Sequence, residues 1–208
     1  MQRLSYFPIL LLLLLACGAT ELETVESCDE IGFCQRYQTD PETGQKQGRF
    51  ELTNPAGQLV EISNYVDDQL DGELIRFNDQ GDTLTVETYE NGQFEGPFRL
   101  YNEEEGYLRQ VGQYIDGAMN GKWEAYHPNG QIAERVTFVN NQEDGPFEEW
   151  HPNGQRKASG TYLEGDNEHG ELWLYAENGE LERLMDCNRG YCSTVWKTGD
   201  PGPIPQKD

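Results

Sequence analysis

Apolar positions in this chain come in short bursts set between glycines and asparagines, and one pair of bursts returns six times between Gly48 and Cys187. Each copy opens on a glycine: Gly48, Gly72, Gly96, Gly121, Gly145 and Gly170, spaced 24, 24, 25, 24 and 25 residues apart. The second residue after that glycine is always apolar: Phe50, Leu74, Phe98, Trp123, Phe147, Leu172. The fifth is aromatic in five copies, as Phe77, Tyr101, Tyr126, Trp150 and Tyr175, while Thr53 breaks the pattern in the first. A second glycine follows nine or ten residues after the first, at Gly57, Gly81, Gly106, Gly130, Gly154 and Gly179. The second burst then closes on Tyr65, Tyr89, Tyr114, Phe138 or Tyr162, with Cys187 in that place in the sixth copy. Self-similarity at such a period marks an array of stacked units in place of one central core.

Each copy reads as a β-hairpin. Aromatic enrichment favours strands. The turns carry Asn54-Pro55-Ala56-Gly57, His127-Pro128-Asn129-Gly130 and their equivalents, where Pro pre-sets the first position and Asn and Gly accept positive φ. Several closing aromatics lie six residues after an apolar position (Leu59, Leu108, Ile132); an even separation puts both on one face of a strand. No segment of 48–187 sustains helical apolar spacing, and a glycine roughly every dozen residues opposes helix. The expected fold is all-β: an elongated, twisted antiparallel meander of about six stacked hairpins, or about twelve strands. A single hairpin is marginal, so stacking supplies the stability.

This pattern resembles the MORN repeat in its variant bacterial form, most clearly along Tyr114-Ile115-Asp116-Gly117-Ala118-Met119-Asn120-Gly121-Lys122-Trp123. The resemblance runs over residues 48–187. It implies a twisted antiparallel sheet that binds or scaffolds and has no catalytic residues of its own. Some relatives have been linked to phospholipids and some bacterial ones to antitoxin or immunity roles. The repeats here are too acidic to fit the lipid role.

The ends differ from the body. Met1-Gln2-Arg3 followed by the leucine run Ile9–Leu15 has the form of a secretory signal; a spanning helix needs ~20 apolar residues. Leu14-Leu15-Ala16-Cys17-Gly18 resembles the lipobox of bacterial lipoproteins, which implies cleavage after residue 16 and acylation of Cys17. Gly18, where an Asp would retain the protein at the inner membrane, points by the same resemblance to the outer membrane of a Gram-negative cell. Four cysteines then remain in an exported chain, an even number that reads as disulfides. Cys28 and Cys34 precede the array and Cys187 and Cys192 close it, and twelve strands at ~4.8 Å span on the order of 50 Å. Unless the N-terminal segment folds back, only the local pairs Cys28–Cys34 and Cys187–Cys192 come within the ~7 Å that a disulfide allows, and they are placed to staple the caps. The closing stretch Gly199-Asp200-Pro201-Gly202-Pro203-Ile204-Pro205 excludes helix and central strand and is expected to be disordered. The boundaries are therefore 1–16 signal, 17–47 N-terminal linker and cap, 48–187 repeats, and 188–208 C-terminal cap and tail.

Fifteen Lys and Arg against 38 Asp and Glu give a net charge of −23, or −24 once residues 1–16, with Arg3 and no acid, are removed. That field repels nucleic acid and anionic headgroups and attracts basic proteins. It also keeps sheet surfaces from aggregating. Catalytic chemistry is sparse. Ser63, Ser159 and Ser193 sit in no nucleophile setting, and neither a phosphate loop nor a hydrolase elbow is present. His127 and His151 occupy the same turn position in adjacent copies and read as solvent-facing turn residues before proline. Acidic runs such as Asp67-Asp68 match no calcium loop. The chain is expected to be no enzyme, with no cofactor and no metal.

Two functions survive. One is a membrane-anchored, non-catalytic interaction or scaffold module, whose aromatic row Phe77, Tyr101, Tyr126, Trp150 and Tyr175 docks a basic protein partner; its only membrane contact is the lipid anchor. The alternative is an antitoxin or immunity-like inhibitor of a toxin, which rescue of growth from such a toxin would favour.

Overall fold

The computed structural model describes residues 21–207. The signal segment and Cys17 lie outside the described residues. The described chain forms one antiparallel sheet of 18 strands. Leaving aside three two-residue strands (Gln69–Leu70, Gln93–Phe94, Gln142–Glu143), neighbours in sequence are neighbours in the sheet from Glu23–Cys28 to Tyr191–Lys197. The twelve long strands expected of the repeats are present, from Lys46–Thr53 to Leu181–Asn188. Hairpins extend the array at both ends. Glu23–Cys28 and Cys34–Thr39 pair ahead of the first copy, and Tyr191–Lys197 pairs after the last. The N-terminal cap is therefore sheet that continues the repeat ladder. The stretch expected to be disordered is described as far as Lys207, without helix or strand beyond Lys197.

The glycine punctuation has a backbone cause. The opening and second glycines of every copy have positive φ, as at Gly72 (100°) and Gly57 (79°), where side-chain-bearing residues are strained. Most hairpins also carry a bulge just before their tip, for example where Arg76 faces Thr85 and Phe77 faces Thr83. The extra residue bends the strand and strengthens its twist.

Pairing assigns every side chain to one of two faces. Phe50 faces Ser63, Leu74 faces Glu87, Phe98 faces Gly112, Trp123 faces Val136, Phe147 faces Gly160, and Leu172 faces Met185. With the closing aromatics two residues further on, these form the packed face. Trp123, Val136, Phe147, Ala158, Leu172 and Cys187 are its buried cluster. A single-layer sheet has no second layer to cover this cluster; its own rings cover it. Phe98 and Tyr114 each stand 5.4 Å from Trp123, Phe138 stands 5.9 Å away, and Phe147 stacks on Tyr162 at 4.1 Å. Residue size is reciprocal across five of the six pairs, Trp123 opposite Val136 being the exception. Ser63 and Gly160 admit Phe50 and Phe147, whereas Glu87 and Met185 face the smaller Leu74 and Leu172. Both disulfides form, Cys28–Cys34 and Cys187–Cys192, each with Cα atoms 4.0 Å apart. The second belongs to the packed cluster. At the other end the packed face closes on Tyr37, which stacks on Phe50, and on Lys46, whose ammonium lies 4.9 to 5.1 Å from the Tyr37, Phe50 and Tyr65 rings.

Candidate functional site

The row Phe77, Tyr101, Tyr126, Trp150 and Tyr175 sits three residues after the packed apolar position in each copy. An odd separation sends it to the opposite face of the strand, here called the open face. All five side chains are half-buried. Among the described residues, the close ring pairs belong to the packed face and none joins two members of this row. The neighbours of Tyr126 and Trp150 are charged. The Tyr126 hydroxyl donates to Glu124 Oε2 at 2.7 Å, Arg135 Nε donates to Glu124 Oε1 at 2.8 Å, and Arg135 Nη1 donates to Glu148 Oε2 at 3.3 Å. Arg156 Nη2 closes the chain on Glu148 Oε1 at 2.5 Å. The Arg135 guanidinium lies 5.4 Å from the Trp150 ring centroid, within cation–π range. Burial pushes the Glu124 carboxyl up, but hydrogen bonds from Tyr126 and Arg135, with the charges of Arg135 and Lys122, more than offset it and hold it below its ordinary value.

The sequence reading did not find this network. Its signal was legible: Glu124-Ala125-Tyr126 and Glu148-Glu149-Trp150 place a carboxylate two residues before the aromatic, on the same face of the strand. The placement of Arg135 and Arg156 beside them depends on cross-strand register and had no local signal.

His127 and His151 correct the expectation that they face solvent. Both are half-buried. His127 Nε2 lies 2.8 Å from the Trp150 carbonyl oxygen and His151 Nε2 lies 3.0 Å from that of Tyr175, so each Nε2 carries the proton and ties its turn to the next copy. Asn129 Nδ2 and Asn153 Nδ2 do the same to Pro152 and Glu177, both at 2.6 Å. These bonds fix the spacing of the open-face aromatics. A hollow of about 480 Å³ beside Trp150 is bordered by His127, Glu134, Glu149, His151 and Lys157.

Glu134 and Glu149, which border that hollow, lie on the packed face, as does Glu143. Glu134 is pushed above its ordinary value by burial and then by the Glu149 charge, and Glu143 by burial and the charges of Glu134 and Asp166. The Tyr162 hydroxyl beside them is raised by burial and by the same carboxylates. Among the described residues no His, Cys, Asp and Glu grouping has the arrangement of a metal site.

The geometry defines the protein as an open, single-sheet hairpin-repeat protein with one self-packed face and one face of separated aromatics among ion pairs. A family model, the MORN repeat variant, matches residues 119–140 and 143–164, each beginning two residues before the opening glycine of the fourth or fifth copy. These two copies carry MORN-type repeats, and the other four share their hairpin geometry. No curated protein matches the chain.

Proposed function

We propose that the protein is a non-catalytic docking scaffold, held to the outer membrane by an acylated Cys17, whose open face binds a basic protein partner. The observation that carries this reading is the aromatic row itself: half-buried, unstacked and set among carboxylates. Aromatic anchors surrounded by a charged rim are the anatomy of protein-binding surfaces. MORN-type repeats are in general interaction modules, which agrees with such a role. The net charge of −23 selects a basic partner and makes association weaken with salt.

The experiment is capture of partners from crosslinked envelopes with the native chain and with the Tyr126→Ala/Trp150→Ala variant. Circular dichroism checks that the variant folds. Loss of a salt-sensitive partner with the fold intact supports the docking face; unchanged partners refute it. Fractionation of Cys17→Ser tests the anchor separately, and a variant that still pellets as firmly as the native protein removes it.

A further inference from the structure

Ser159 sits in no nucleophile setting in the sequence, yet it is 1% exposed on the open face of the fifth copy. Its cross-strand neighbours are Glu148 on one side and Trp173 on the other, and Trp173 in turn faces Leu184. Trp173 and Leu184 are 4% and 8% exposed. The positions equivalent to Trp173 in other copies, Ile75, Arg99, Glu124 and Glu148, are half-buried or exposed. On the open face Val86 is buried singly in the second copy, whereas Ser159, Trp173 and Leu184 form a run of three buried neighbours at the C-terminal end. The chain itself provides an occupant there. Lys207 Nζ donates to Ser159 Oγ at 2.6 Å, across 48 residues of sequence. The segment leading to it, Gly199 to Lys207, has prolines at 201, 203 and 205, and Pro205 is half-buried.

We propose that this end of the open face is a seat for an extended, proline-containing peptide segment bearing a lysine, and that the protein's own Gly199–Lys207 holds the seat until such a segment from a partner displaces it. The proposal rests on the docking reading for the partner's identity as a protein. Three features give the seat its chemistry. The buried Ser159 hydroxyl accepts from an ammonium. The carboxylates of Glu148 and Glu171 attract that ammonium. Alternate prolines fix φ and keep the segment extended before it binds, which lowers the ordering cost. Desolvation first, and then the Arg156 charge, oppose those carboxylates and hold the Lys207 ammonium below its ordinary value.

Tethering sets how much the internal segment obstructs. Nine residues, 198–206, lie between Lys197, the last strand residue, and Lys207, and a short linker gives an effective concentration on the order of mM. A free segment with a dissociation constant of ~100 µM then binds a chain lacking the internal copy about tenfold more tightly than the native chain.

The test uses a labelled synthetic peptide of residues 199–208 as the probe, with no cellular partner present. Four proteins are titrated: the native chain, a chain ending at Thr198, the same shortened chain carrying Ser159→Ala, and full-length Lys207→Gln. The last keeps the whole fold and so guards against a truncation that does not fold. Expected results are saturable, salt-sensitive binding to the chain ending at Thr198 and to Lys207→Gln, about tenfold weaker binding to the native chain, and loss of binding to the shortened chain carrying Ser159→Ala. Equal binding to native and shortened chains, binding to neither shortened chain nor Lys207→Gln, or indifference to Ser159→Ala overturns the proposal. Such a failure leaves the Tyr126/Trp150 docking experiment untouched, because that experiment reads a different stretch of the face.

Discussion

The substitution Gly112→Ala puts the account of the packed face at risk most directly. Gly112 is absent from the positive-φ positions, so its conformation suits any residue and only space decides. A Cβ there would stand 2.1, 2.3 and 2.5 Å from Cδ2, Cε2 and Cε3 of Trp123. Carbon atoms in contact prefer ~3.5–4.0 Å, so the indole must retreat by more than ~1 Å. Its exits are closed by Phe98, Tyr114 and Phe138, and Trp123 is only 1% exposed. Overpacking of this kind costs ~1–3 kcal/mol. Here the upper end applies, offset by ~0.5–1 kcal/mol from replacing a strand glycine. The net expectation is a loss of about 2 kcal/mol, or roughly 4–8 °C in Tm for a chain of this size. Urea unfolding followed by circular dichroism and tryptophan fluorescence measures it. The decisive part is the cycle with Trp123→Leu, which is destabilising alone through its lost contacts. In that background the alanine methyl has room, so Gly112→Ala should then cost nothing, a coupling of about 2 kcal/mol. Additive effects, or a Gly112→Ala cost under ~0.5 kcal/mol, would refute the size-reciprocal packing of glycine against ring.

Two further outcomes follow from the charges and the caps. Because Glu134 has its carboxyl raised by burial and Glu149, the folded chain keeps a proton there that the unfolded chain has released, and stability falls as pH rises from the ordinary carboxylate range through the raised value. Glu134→Gln should therefore raise Tm at neutral pH, with the gain shrinking as pH is lowered into that range; a pH-independent gain, or a loss at neutral pH, contradicts this. Linking Cys187 and Cys192, five positions apart, contributes about 2 kcal/mol by chain entropy, and Cys192→Ala should appear in hydrogen exchange as faster opening of Leu181–Asn188 and Tyr191–Lys197 with the central copies unchanged. Uniform loss of protection along the whole array would show that the disulfide is not a local cap.

The sequence by itself determined the repeat and its hairpins. Glycine at a fixed period is required by backbone conformation alone: positive φ at Gly57 and Gly72 is a local property that any reading of the chain can reach. Asn-Gly and His-Pro-Asn-Gly turns are likewise local, and so is the proximity of Cys28 to Cys34. The split of the aromatics into two rows was legible in part, since Leu74 and Phe77 differ by an odd number of positions. Tertiary structure decided which row is packed, because that depends on what lies across the strand. Gly112 is ordinary as a letter, and only register brings the Trp123 ring over it. In the sequence Ser63 and Ser159 sit in no nucleophile setting, and nothing local shows that one is buried opposite Phe50 while the other receives Lys207. His127 and His151 have the local form of solvent-facing turn residues, and stacking one copy on the next turns them into ties between copies. Local conformation is written in each segment of chain; contact between segments 24 or 48 residues apart exists only once the hairpins have stacked.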